Sequence, residues 1–213
     1  MNYKLFKNGE EINKWLTISS TEKLSEDFIR EHEDYLDWGE LSMNENLELS
    51  LNFYKEFKDK FNWRAVSDKH KLSEDVIREF ADDVDWTIIS ISQKLSENFI
   101  REFSDKVNWT YISGVQKLSE NFIRKFADKV NWKVISLAQK LSESFIREFA
   151  DKLNWNYLVC NREAIFSEDM IIEHKSEISY WRSLLATHNL SKKFIEEFLD
   201  KFDRDQLMKR GYI

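Results

Sequence analysis

The side chains able to ligate a transition metal, or to pair a nucleophile with a base, are four histidines, His32, His70, His174 and His188, and one cysteine, Cys160. A lone cysteine forms neither an internal disulfide nor a thiolate zinc site. Cys160 also sits in a slot filled elsewhere by Ile91, Gly114 and Leu137, which reads as packing or surface. His32 and His174 share one slot of a repeat yet lie about six repeats apart, so they cannot close on one metal and read as partly buried packing residues. His70 and His188 fall in links between helices and read as solvated. There is no glycine-rich phosphate loop, HExxH motif, paired-cysteine spacing or nucleophile elbow. Acids and bases abound, but they recur in near-copies, whereas catalysis needs one asymmetric cluster. The expectation is a protein that is not an enzyme and has no cofactor and no metal.

The elements that carry these residues are set by tryptophan. Its eight positions, 15, 38, 63, 86, 109, 132, 155 and 181, are separated by 23, 25, 23, 23, 23, 23 and 26 residues. That is an internal repeat. A further register puts Arg204 in the Trp slot ahead of Leu207, a more polar copy suited to closing an array. Asp or Asn before most of the tryptophans (Asp37, Asn62, Asp85, Asn108, Asn131, Asn154) is a good N-cap, and Trp shares a helical face with the apolar residue three on. A polar link such as Gln116-Lys117 then leads to Leu-Ser-Glu, whose serine (Ser25, Ser50, Ser73, Ser96, Ser119, Ser142, Ser167, Ser191) caps a second helix. A Glu beside most of these serines suits the helix dipole. Phe99, Ile100, Phe103 and Val107 give that second helix one buried stripe, with Arg101 to Asp105 and Glu102 to Lys106 pairing four apart outside it.

So short a helix pair cannot bury Trp and two Phe alone; neighbours must supply the rest. The expected fold class is all-α, an α-solenoid of about nine tandem two-helix repeats in a single elongated domain, with residues 1–14 as N-terminal cap, 15–203 as repeats and 204–213 as C-terminal cap. Two-residue insertions near Asn44-Glu45-Asn46 and Arg162-Glu163-Ala164, and one residue near Ser179-Tyr180, read as surface loops.

Composition agrees. Hydrophobic residues make up 42% and charged residues 33%, with 4 Gly and no Pro. No stretch reaches the roughly 18 apolar residues of a membrane span, and the first residues lack an apolar leader core, so the expected setting is cytoplasmic with no membrane partner. The net charge is −7, with acids concentrated in the first 50 residues. The repeat turns charges into ladders: Lys71, Lys94, Lys117 and Lys140; Arg78, Arg101, Arg124 and Arg147; Glu74, Glu97, Glu120 and Glu143. The basic rows could track nucleic-acid phosphates, and the acids could imitate them. Each arginine, however, has an acid four residues on, which points to a locally neutralised, solvated face.

Positions just after each Trp vary most, so the fold leaves them free to write a binding surface. The candidate partner-binding residues are Arg64, Ile88, Tyr111, Lys133 and Tyr157, with the tyrosines and Ile88 as apolar anchors.

Leu-Ser-Glu, Phe-Ile-Arg-Glu-Phe and Asp-Lys-Val-Asn-Trp, near-identical from about Leu72 to Trp155 and looser elsewhere, resemble the tandem short helical repeats of proteins from phages, large DNA viruses and AT-rich bacteria. The resemblance implies a phage or mobile-element setting and no catalytic residue. The expected function is a non-catalytic protein-binding scaffold or inhibitor with a protein partner and no small-molecule substrate. In a phage setting it would be an antagonist of a host defence complex such as a CRISPR effector. The alternative is a protein that binds or mimics nucleic acid.

Overall fold

The computed structural model describes residues 9–212, with side chains from residue 13 onward. It is all-helical: seventeen α-helices and two 3-10 turns, with no strand among the described residues. The expected cap at 1–14 lies mostly outside the described residues. The chain divides into two compact units, 1–108 and 109–213.

The first unit contains α1 (Gly9–Thr21), α2 (Glu26–Glu31), α3 (Trp38–Met43), α4 (Leu51–Glu56), α5 (Trp63–Lys69), α6 (Glu74–Glu79), α7 (Trp86–Ser92) and α8 (Glu97–Glu102). The second contains α9 (Trp109–Val115), α10 (Glu120–Lys125), α11 (Trp132–Ala138), α12 (Glu143–Glu148), α13 (Trp155–Leu158), α14 (Glu168–Glu173), α15 (Trp181–Thr187), α16 (Lys192–Glu197) and α17 (Arg204–Lys209). From α3 to α16, Trp-led and Ser-capped helices alternate, and each unit is an α-solenoid of two-helix repeats. Trp-led helices pack on their successors, α1 on α3, α3 on α5 and α5 on α7 in the first unit, α9 on α11 and α11 on α13 in the second.

Local chemistry explains where each helix begins. In every Ser-capped helix the serine hydroxyl accepts the N–H three residues on, as Ser50 does from Phe53 and Ser142 from Phe145. Asp37, Asn62, Asp85, Asn131 and Asn154 do the same for the Trp-led helices. The second helix is shorter than the periodicity implies. It stops after six residues, and the phenylalanine expected inside it is the C-cap, with φ −106° and ψ 30° at Phe103. A turn of the same sidedness follows, so Val107 still reaches the core. Phe103 lies 4.8 Å from Trp86, and Phe149 lies 4.9 Å from Trp132. No indole among the described residues faces water. Those of Trp38, Trp63, Trp86 and Trp132 donate to the carbonyl five residues back.

Consecutive repeats are joined by polar side chains serving a neighbour's backbone. The buried serine four residues after Trp donates to the Trp carbonyl and accepts the N–H of the next repeat's cap residue. Ser42 takes Asn62 and Ser67 takes Asp85; in the second unit Ser113 takes Asn131 and Ser136 takes Asn154. A buried amide then reaches back one repeat. The Gln139 Nε2 donates to the carbonyls of Ser113 and Gln116, and its Oε1 accepts the N–H of Leu118. Gln93 does the same toward Ser67, His70 and Leu72. The Glu that follows most capping serines does more than face a dipole. Glu26, Glu74 and Glu120 each accept the N–H of the following repeat's serine, Ser50, Ser96 and Ser142, at 2.6 Å. Partial burial pushes the Glu26 carboxyl up, but its bonds from Ser50 and Arg30 together hold it below its ordinary value.

Two insertions are structural turns. In both, the amide moves one residue nearer to Trp and shortens to asparagine: Asn44 donates to Ser19 and Glu22, and Asn161 to Ser136 and Gln139. Each then accepts the N–H two residues on, from Asn46 or Glu163, which folds the extra residues into an Asx turn. At the last insertion Val159 stands in the serine slot, and the Asn156 carboxamide accepts the N–H groups of Ser179 and Tyr180 instead. The atypical copy forms a helix of its own. In α17 the apolar Leu207 is buried, the Arg210 guanidinium donates to the Ala186 carbonyl, and Gly211, at φ 74°, ends the helix in a left-handed cap.

Candidate protein-interaction surface

Of the arginine ladder, Arg78, Arg124 and Arg147 pair between repeats rather than with the acid four residues on, while Arg101 bonds to Asn98 of its own helix. In the first unit Arg30 pairs with Glu56 at 3.0 Å, Lys55 with Glu79 at 3.0 Å and Arg78 with Glu102 at 2.9 Å. In the second, Arg124 pairs with Glu148 at 2.8 Å and Arg147 with Glu173 at 3.0 Å. Glu102 and Lys106 accordingly bond to Arg78 and Asp82 of the preceding repeat, not to each other. The guanidinium planes of Arg78 and Arg124 lie over Phe99 and Phe145 of the next repeat, so these arginines also cover the core. The hydrogen bond from Arg78 holds the Glu102 carboxyl below its ordinary value. Such exposed pairs add little stability but fix register. The lysine row differs: Lys71 and Lys94 in the first unit, and Lys117 and Lys140 in the second, are exposed and make no ion pair among the described residues.

The histidines divide. His32 and His174 are half-buried packing residues, stacked on Phe28 and Trp155 at 4.2 and 3.9 Å. His70 is not solvated. It is 1% exposed and takes the place that glutamine holds in other repeats. Its Nε2 lies 3.0 Å from the Leu41 carbonyl, which can only accept, so Nδ1 is left to accept the Tyr54 hydroxyl at 2.6 Å. Burial pushes its pKa down, against a smaller upward pull from Leu41. His188 is likewise half-buried against Phe166, with its pKa lowered by burial. The Cys160 thiol, just past the end of α13, donates to the Asn156 carbonyl at 3.2 Å. Among the described residues no group of three or more His, Cys, Asp or Glu is placed to hold a metal ion, and no helix is long and apolar enough to cross a membrane.

The variable positions after Trp lie on the outer flank of the Trp-led helices. In the first unit Arg64 is exposed, 3.5 Å from Asp85, and Ile88 is half-buried; neighbouring Met43 and Ile91 are the exposed apolar groups. The second unit brings two of the sequence candidates, Lys133 and Tyr157, together and leaves a third, Tyr111, exposed. Tyr111 is exposed on α9. Lys133 on α11 sets its Nζ 4.9 Å over the Tyr157 ring of α13, and Tyr180 approaches that ring edge-on at 6.5 Å. Leu137, four residues beyond Lys133, is exposed beside them. Gly114 permits the close approach of α9 to α11, because a Cβ there would come within 2.8 Å of Val134 Cγ1. Tyr180 was legible as a deviation, a tyrosine where most repeats carry Asp or Asn as the cap, whereas Leu137 shares its slot with the apolar Met43 and Ile91.

This flank can bury apolar area and accept a negative charge. No family model, curated protein or solved structure matches the chain.

Proposed function

We propose that the chain is a non-catalytic, protein-binding helical-repeat scaffold or inhibitor, working in a cytoplasm, that holds a protein partner on the outer flank of its Trp-led helices. The observation that carries this reading is the second unit's flank, where the apolar Tyr111, Leu137 and Tyr180 remain exposed beside the Lys133 cation. Exposed aromatic and aliphatic groups beside a cation are the residue types that anchor protein interfaces. In the phage setting that the repeats resemble, the partner would be a host defence complex such as a CRISPR effector, blocked by occlusion. The test is affinity capture from the native host with the wild-type chain and with a Tyr111→Asp, Leu137→Asp double variant; a partner retained equally by both removes this reading.

A second reading has one observation of its own, the unpaired lysine row. Nucleic-acid binding through Lys71, Lys94, Lys117 and Lys140 would be tight and strongly salt-dependent, and mixed RNA and DNA oligonucleotides at two salt concentrations test it. The paired arginines and an isoelectric point near 5.3 weigh against it.

A further inference from the structure

Within the second unit, α9, α11, α13 and α15 and the residues that cap them carry two formal charges, Lys133 and Arg182, and no Asp or Glu, whereas α17 and its cap carry Asp203 and Asp205. The matching elements of the first unit, α1, α3, α5 and α7 with their caps, carry Glu10, Glu11, Asp37, Glu40, Asp68 and Asp85. A chain with 39 acids against 32 Lys and Arg thus keeps these four helices free of negative charge, and they also expose apolar groups. Leu137 is 45% exposed, Tyr180 47% and Tyr111 36%. Among the described residues Arg182 is exposed and, like Lys133, makes no ion pair; the Lys133 Nζ lies 4.9 Å over the Tyr157 ring. Both cations therefore still have charge to offer an incoming group.

We infer that this flank docks an acidic amphipathic segment of a partner protein, with apolar side chains over Leu137 and Tyr111 and carboxylates at Lys133 and Arg182. The inference rests on the protein-binding function above and adds the chemistry of the partner. Two cations are too few to follow a nucleic-acid backbone, whereas they suit a peptide whose carboxylates flank an apolar stripe. The Lys133 ammonium and the Tyr157 ring act together: a carboxylate that reaches Nζ finds the Tyr157 and Tyr180 rings beside it, which exclude water from the ion pair.

The test uses the full-length chain and a displayed library of random 16-residue peptides. Peptides selected on the wild-type chain should be enriched in Asp and Glu alternating with aliphatic or aromatic residues. They should weaken about tenfold or more against Lys133→Glu, R182E or the double variant, and recover when their acids are changed to lysine against that double variant. Thermal unfolding of each variant at the wild-type temperature shows that the fold is intact. Selection of basic or uncharged peptides, no selection at all, equal binding by the charge-reversed variant, preference for RNA, or self-association of the chain through this flank would each overturn the inference. The protein-binding function itself survives such a result if the Tyr111→Asp, Leu137→Asp variant still loses its captured partner.

Discussion

The Gln139 carboxamide reaches back 26 residues in sequence to the carbonyl of Ser113, to which its Nε2 donates at 2.8 Å. The same nitrogen serves Gln116 and the same side chain accepts from Leu118, so one residue satisfies three backbone groups where two repeats meet. Replacement by Leu keeps the bulk and orphans all three. Gln139→Leu is expected to lower the stability of the second unit by about 3 kcal/mol, read as a shift in urea midpoint at constant slope. A loss below about 0.5 kcal/mol would mean that water replaces the amide without penalty.

The serine four residues after Trp is predicted to matter beyond its size. Ser136→Ala removes the acceptor for the Asn154 N–H, at 2.9 Å, while leaving the packing of Ile135 untouched. The expected loss is about 1–2 kcal/mol, from a buried donor left unpaired. Hydrogen exchange should speed up at Asn154 first.

Gly114 sets two effects against each other. Alanine gains about 1 kcal/mol of helix propensity over glycine, but its Cβ would stand 2.8 Å from Val134 Cγ1, and a β-branched side chain in a helix turns away poorly. Gly114→Ala should therefore be net destabilising, by about 1 kcal/mol, where exposed helix positions give the opposite sign. Calorimetry decides between them.

His70 makes stability depend on pH. Its folded-state pKa is lowered by burial, so the unfolded chain binds the proton more readily. Stability is full above the ordinary histidine value of about 6.5 and declines as pH falls below it toward the folded-state value. His70→Gln installs the residue that fills this slot at Gln93 and Gln139 and should flatten that part of the pH–stability curve, leaving the contribution of His188. Unchanged melting curves for the two proteins between pH 7 and pH 5 would refute the assignment.

On the outer flank, stability and binding should separate. Lys133→Glu and Tyr111→Asp change exposed groups and should shift unfolding free energy by no more than about 0.5 kcal/mol. Retention of the partner should fall severalfold for each. Loss of fold in either variant would show that the flank serves packing.

Much of the architecture is legible from tryptophan spacing and from Ser and Asp or Asn caps, because both are local signals. What is not legible depends on a neighbour. Phe103 keeps its place on the buried side whether the helix continues or stops, so periodicity alone runs the second helix too far. Arg78 has an acid four residues on and also meets one 24 residues on at Glu102; only stacked repeats show which matters more. His70 looks like any polar link residue. The clue was its company: Gln93, Gln116 and Gln139 keep a hydrogen-bonding side chain in that slot, which a solvated link has no reason to do. The candidates Tyr111, Lys133 and Tyr157 were visible as variable positions, but the ring-on-cation arrangement that joins two of them was not.

The junctions carry a consequence for how the chain is made. Ser42, Asn44, Ser113 and Gln139 each bridge only 18 to 26 residues. Closing such short spans loses little entropy, and low contact order favours rapid folding. As the polypeptide leaves the ribosome, each hairpin finds its acceptors already in place behind it and becomes the template for the one that follows, so either unit can consolidate in the order of its synthesis without waiting for a distant strand of sequence.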